Sequence, residues 1–188
     1  MAKGKDNGEL MEALEELFLS EGYRDVTLRE LAKRLGCSYR RLYDMAPNKE
    51  ALFLLVMTAF FDRLKKEGWR AASADRPLAN RMEVYLRVGV NYAKRMSVTC
   101  QEDLDSTPAG RIVFDSLQEE RVAGLKEMFD EGAAKGEFGA FHSLLVAEVM
   151  IAAVKHIREP TFLSRAGLTL SEALDEHSRL MRDGIQAK

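Results

Sequence analysis

The sequence predicts an all-α protein in two parts, a small three-helix head followed by a longer helical domain. Apolar residues recur three or four apart in nearly every stretch, no stretch sustains strand-like alternation, and Gly, Pro and Asn punctuate the pattern. The composition agrees: 188 residues, 46% hydrophobic and 31% charged, describe an ordinary globular protein rather than a disordered, fibrous or membrane chain.

The first helix carries Leu10, Leu14, Leu17 and Phe18 on one face, with Glu9, Glu12, Glu15 and Glu16 mostly elsewhere, and ends at Gly22. A second helix starts at Thr27-Leu-Arg-Glu30, where the Thr hydroxyl can accept from the Glu30 N–H and the Glu carboxylate can return to the Thr27 amide. Leu28, Leu31, Ala32 and Leu35 form its stripe, and Gly36 supplies the positive φ that stops it. Ser38 caps a third short helix, Tyr39 to Asp44, with Leu42 as its inward anchor. Pro47 and Asn48 end that helix and begin a fourth, Lys49 to about Arg70, apolar at Leu52, Leu55, Val56, Ala59 and Phe60 and long enough to serve as a connector.

After a break at Ser73 to Pro77, helices are expected at about 78–97, 109–134, 142–158 and 171–186, with a shorter turn of helix near Gln101. Gly132, Gly136 and Gly139 mark one loop, and Pro160 and Gly167 bracket another containing Thr161 to Arg165. The expected division is a small helical head over residues 1–50 and a longer helical domain over 51–188, with the connector at about 49–70.

No segment approaches the roughly 20 apolar residues of a membrane span: Leu144 to Val154 is short and interrupted by Glu148. The N-terminus carries no secretion pattern, so a cytoplasmic protein with no membrane role is expected. Cys37 and Cys100 form no CxxC and lie in different parts of the chain, which argues for plain thiols over a disulfide or zinc framework and leaves a redox role for Cys100 open. No cofactor, metal site or catalytic residue is expected, because GxSxG, HExxH, P-loop and suitably spaced paired-carboxylate motifs are all missing, and Glu119-Glu120 reads as helix surface.

The formal net charge of −2 hides an uneven distribution. Between Arg24 and Lys49, seven basic residues face three acidic ones. Two short helices joined by a tight glycine turn, with a third helix behind them, make a helix-turn-helix, whose second short helix enters the major groove. The residues Leu17-Phe18, Gly22-Tyr23, Val26 to Ala32, Gly36-Cys37-Ser38, Leu42-Tyr43 and Asn48 to Leu52 resemble, in register, the DNA-binding signature of the tetracycline-repressor (TetR) family. This resemblance covers about residues 9 to 57; the remainder is similar only in length and helical pattern.

The resemblance implies a DNA-binding set of Thr27, Arg29, Ser38, Tyr39, Arg40, Arg41, Tyr43 and Lys49. Tyr39 and Arg40, with Arg41, would read bases at the start of the recognition helix. Thr27, Tyr43 and Lys49 would bind phosphates, Lys49 at a helix N-terminus, and Arg29 would serve either role. Arginine suits base reading because its planar fork meets guanine O6 and N7 bidentately. The bland alternatives are a solvated face for Arg40 and Arg41 and core packing for Tyr43. Ala46, preceded by Met45, stands where the family usually has an aromatic before its Pro-x-Lys turn, which bears on the orientation of the recognition helix.

In the second domain Tyr85, Asn91, Tyr92, Met96, Cys100, Phe114, Met128, Met150 and His156 are of the types that line a mostly apolar pocket, and equally of the types that fill a core. The last two long helices carry wide apolar faces, with Leu144, Leu145, Val149, Met150 and Ala153 on one and Leu170, Leu174, His177, Leu180 and Met181 on the other. In the family such helices pair across a homodimer; packing within one monomer is the alternative. The resemblance thus implies a ligand-responsive regulator, a repressor released from a palindromic operator by a small hydrophobic effector. Control by a protein partner without a small molecule, and a helical enzyme, are the competing readings.

Overall fold

A computed structural model describes residues 6–72, 78–139 and 141–185. Those residues form ten α-helices and no extended strand: α1 Asn7–Glu21, α2 Leu28–Leu35, α3 Tyr39–Met45, α4 Lys49–Ala71, α5 Leu78–Arg95, α6 Val98–Asp105, α7 Pro108–Lys135, α8 Ser143–Ile157, α9 Pro160–Ala166 and α10 Leu170–Ile185. The all-α expectation holds. The expected break at Ser73 to Pro77 and the last expected helical residue, 186, lie outside the described residues.

Two expectations need correction. The stretch Thr161 to Arg165, expected as loop, is the body of α9: Pro160 occupies the first turn, where its missing N–H costs nothing, and Gly167 stops the helix with φ +65°. The two residues that read as loop brackets are a helix's start and stop signals. On α4, Leu55 is exposed at 43% instead of buried; Phe53, Met57 and Phe61 pack inward beside Leu52, Val56 and Phe60. Phe53 takes the central place because the rings of Phe18 and Tyr23 close on it, edge-on at 5.4 Å and stacked at 4.6 Å.

The chain packs as two compact units. One comprises residues 6–62 and 95–115, the other 63–72, 78–94, 116–139 and 141–185. Helices α4, α5 and α7 each contribute residues to both. This division runs differently from one drawn in chain order at residue 50, because α6 packs against α1.

In the first unit Leu10, Leu14, Leu31, Leu35, Leu42, Leu52 and Phe60 join the aromatic cluster in the core. The Ser97 N–H donates to the Leu19 carbonyl at 2.8 Å, and Arg95 Nη2 donates to Glu15 Oε1 at 2.8 Å and Glu16 Oε1 at 2.5 Å, tying α5 and α6 to α1. The second unit centres on Met82, Tyr85, Leu86, Leu125, Met128, Phe129, Phe138, Ala147 and Met150, with a smaller cluster of Val90, Ile157, Ala173 and Leu174 beside it.

Candidate nucleic-acid interface

The head is assembled by its caps. Thr27 Oγ1 accepts from the Glu30 N–H at 3.2 Å and donates to Glu30 Oε2 at 2.7 Å, while the Thr27 N–H donates to the same carboxylate at 2.8 Å. These bonds favour the ionised form and hold the Glu30 carboxyl below its usual pKa. Gly36, at φ +66° and ψ +33°, closes α2 in the left-handed conformation and donates to the Ala32 and Lys33 carbonyls. Ser38 Oγ then accepts from the Arg41 N–H at 3.2 Å and starts α3.

That turn fixes which side of α3 faces water. Leu42 is fully buried and Ala46, at the helix end, is nearly so. Tyr39 and Tyr43 remain 45% and 52% exposed, their rings 5.8 Å apart one turn from each other, with Arg40 exposed alongside. Two aromatics left about half exposed beside an arginine bury only part of their apolar area. They leave a face of hydrogen-bonding groups with flat apolar bodies, suited to base edges and sugar–phosphate.

The basic stretch is partly engaged within the chain. Arg24 pairs with Asp103, and Arg34 forms a fork with Glu21 at 2.7 and 2.5 Å. Arg41 Nη2 donates to Asn7 Oδ1 at 2.8 Å, and Lys49 Nζ donates to the Arg24 carbonyl at 2.6 Å while lying 5.6 Å from the Tyr23 ring centre. Among the described residues, Arg29, Lys33 and Arg40 form no ion pair. Lys33 is therefore an available cation that the sequence reading passed over. Its signal was charge on the exposed side of α2, where the one acidic residue at helical spacing, Glu30, is taken up by the Thr27 cap.

The second missed residue is Asp103. Its side chain is completely buried; Oδ2 accepts from the Tyr23 N–H at 2.5 Å and the Arg24 N–H at 3.0 Å, and Oδ1 pairs with Arg24 Nε. The carboxylate clamps the loop between α1 and α2. Gly22, at φ +73°, makes room for it, since a Cβ there would collide with Asp103 Oδ2. Nothing in the sequence around Asp103 signals a partner eighty residues earlier.

The residues considered for a pocket do not converge on one place. Tyr85, Met128 and Met150 meet in the second unit's core, where Tyr92 is also buried. Met96, Cys100 and Phe114 belong to the first unit, Phe114 against Phe61 with ring centres 6.1 Å apart. Asn91 and His156 are exposed; His156 Nδ1 lies 3.3 Å from Glu159 Oε2. Neither Cys37 nor Cys100 is in a disulfide, and Cys100 is buried. Among the described residues no group of three or more His, Cys, Asp or Glu is placed to hold a metal ion, and no helix is long and apolar enough to cross a membrane.

Residues 10–56 match the family model of bacterial regulatory proteins, tetR family. The chain carries a TetR-family DNA-binding head. Solved structures similar over nearly the whole chain include a transcriptional regulator from Cytophaga hutchinsonii (TM-score 0.76, 17% identity, 95% of this chain and 97% of that one). A TetR transcription regulator from Haloarcula marismortui is similar at TM-score 0.77 and 18% identity, over 96% and 97% of the two chains. A protein from Saccharomonospora viridis solved in complex with choline is similar at TM-score 0.78 and 12% identity, over the same shares. No curated protein matches the sequence. The fold shared with these solved structures thus extends through the helical region behind the head.

Proposed function

We propose that the chain is a ligand-responsive transcriptional repressor that binds a palindromic operator as a homodimer. The observation that carries this reading is the one-sided α3, with Leu42 buried and Tyr39, Arg40 and Tyr43 presented to solvent by a capped helix-turn-helix. In it, Tyr39 and Arg40 with Arg41 read bases, and Thr27, Ser38, Tyr43 and Lys49 with Arg29 contact phosphates. The side-chain contacts within the head leave Lys33 for the phosphate set and make Arg41, hydrogen-bonded to Asn7, a secondary reader.

Support for the dimer comes from the exposed apolar residues Leu144, Leu145 and Val149 on α8 and Leu180 on α10, the last 71% accessible. Pairing these helices across a two-fold axis would bring two recognition helices into one particle, and reading a palindrome requires them to lie about 34 Å apart, one turn of the duplex. The effector acts by preferring a conformation with a different spacing, and shifts the equilibrium only by that preference. Such a protein works in the cytoplasm.

The test is fluorescence anisotropy with DNA from upstream of the protein's own gene, a scrambled duplex and a salt series for both. The reading expects saturable preference for the native fragment, two protomers per site, and loss on Arg40→Ala or Tyr39→Ala. Equal, steeply salt-dependent binding to both duplexes would mean phosphate attraction without readout, and absence of binding at low salt would refute the proposal.

A further inference from the structure

In the second packing unit a guanidinium is buried without an anion. Arg121, in the middle of α7, is 6% exposed, and among the described residues no carboxylate pairs with it. Its Nη1 donates to Gln118 Oε1 at 3.3 Å, a long bond to a neutral acceptor that is itself buried. Its Cζ lies 5.7 Å from the centre of the Tyr85 ring. Its Nε is buried with no partner at all. A neutral acceptor and a ring face recover only part of what a desolvated cation loses on leaving water.

The surroundings are shaped around this charge. Gly89 on α5 lets the guanidinium lie against the helix, since a Cβ there would sit 3.1 Å from Nη2. From α10 comes His177, buried, with Nε2 also lacking a partner. Burial and the nearby Arg121 charge push the His177 pKa down and keep the imidazole neutral, able to give or take one hydrogen bond. His177 is also a wall of an open groove of about 480 Å³ whose apolar floor is Ile157, Phe162, Leu168 and Leu180 and whose charged lining is Glu176, Arg179 and Asp183. The core cluster that holds Tyr85 also holds Leu86, Val122 and Leu125, all apolar.

We propose that Arg121, assisted by Gln118, Tyr85 and His177, anchors the carboxylate of a small effector with an apolar body. One fixed positive charge whose planar fork is only partly used, with Nε unpartnered, matches one planar anion. The two orphaned nitrogens, Arg121 Nε and His177 Nε2, supply polar contacts that the apolar surroundings do not. This inference rests on the ligand-responsive reading above and names the chemistry of its ligand.

The probes are straight-chain monocarboxylates from butyrate to dodecanoate, together with phenylacetate, each beside its neutral amide. The full-length protein contains one tryptophan, Trp69, whose ring centre lies 5.0 Å from that of Tyr85, so its emission reports on the site directly. Some of the acids should shift the Trp69 emission saturably and raise the Tm, as a ligand bound only to the native state must, and the matched amides should not. Arg121→Met should weaken the acid response roughly thirtyfold or more, while the unliganded Tm stays level or rises because an uncompensated charge has gone. Arg121→Lys, which keeps the charge without the fork, provides a second reading and should fall between.

No response to any acid, equal response to acids and amides, or an unchanged response in both Arg121 variants would each overturn the anchor. Operator anisotropy with the same ligands separates the two claims. An Arg121-dependent emission shift without operator release would preserve the anchor and refute the ligand-responsive reading; release that is equal for amides and unaffected in Arg121→Met would do the reverse.

Discussion

Replacing Asp103 by alanine should be among the most destabilising single changes in the head. The carboxylate is fully buried and satisfies the Tyr23 and Arg24 N–H groups and the Arg24 side chain. A hydrogen bond to a charged acceptor contributes about 1.5–3 kcal/mol, and a buried donor left unpaired loses its solvation outright. Two backbone donors lose their acceptor in Asp103→Ala, and relief of the carboxylate's own desolvation offsets part of that loss. A net cost of about 3–5 kcal/mol follows, which in a chain of this size lowers the Tm by roughly 10 °C. Asp103→Asn keeps one oxygen for the two backbone donors but turns an amide N–H₂ toward Arg24 Nε, and should cost about 1–2 kcal/mol. Arg24→Ala should cost little, because its side chain is half exposed and the carboxylate keeps its backbone donors. Urea unfolding followed by far-UV circular dichroism measures all three. If Asp103→Ala lay within about 0.5 kcal/mol of the parent protein, an ordinary surface effect, or if Arg24→Ala matched it, the clamp would have been misjudged.

Thr27→Ala removes the acceptor for the Glu30 N–H and should lower stability by about 1 kcal/mol in the same urea experiment. Lys33→Ala should weaken duplex binding without regard to sequence and reduce the salt slope by about one, whereas Arg40→Ala should also erode the preference for the native fragment, as anisotropy titrations at several salt concentrations would show. The depressed His177 pKa makes stability depend on pH: the unfolded imidazole, near pH 6.5, binds protons that the folded one refuses, so its contribution is present above that pH and is lost as pH falls below it toward the folded value. Thermal melts across this window should flatten in His177→Gln, and an unchanged slope would show that other groups dominate.

The head was legible because its signals are local. Thr27 and Glu30, Gly36, and Ser38 each act within a few residues, and each appears in the structure in its expected role. The inward place of Leu42 followed once α3 was bounded. What escaped the sequence depends on distant partners. Phe53 is central because Phe18 and Tyr23 close on it, whereas the helical period alone favoured Leu55. Asp103 looks like any acid on a short helix until folding carries it to Tyr23. Pro160 and Gly167 were noticed and read with the wrong sign, since seven residues carry too little periodicity to separate a helix from the loop it replaces. The pocket candidates were chosen by residue type, and type does not distinguish a core methionine from a lining one; the unpaired donors of Arg121 and His177 become visible only when their surroundings are known.

The interleaving of the two packing units has a consequence for how such a protein can be cut and recombined. The stretch from Arg95 to Asp115 packs with residues that precede it by a whole helix pair, so no single cut in the chain releases an intact reading module. A fragment ending at residue 62 would lose α6 and, with it, the only described side chain that caps the Tyr23 and Arg24 amides. A chimera that joins this head to another regulator's sensor would have to bring an acid to the position of Asp103, or a glycine and an acid would have to be exchanged together. Residues that a linear alignment assigns to the sensor are, by their contacts, part of the tool that meets the operator in the proposed mechanism.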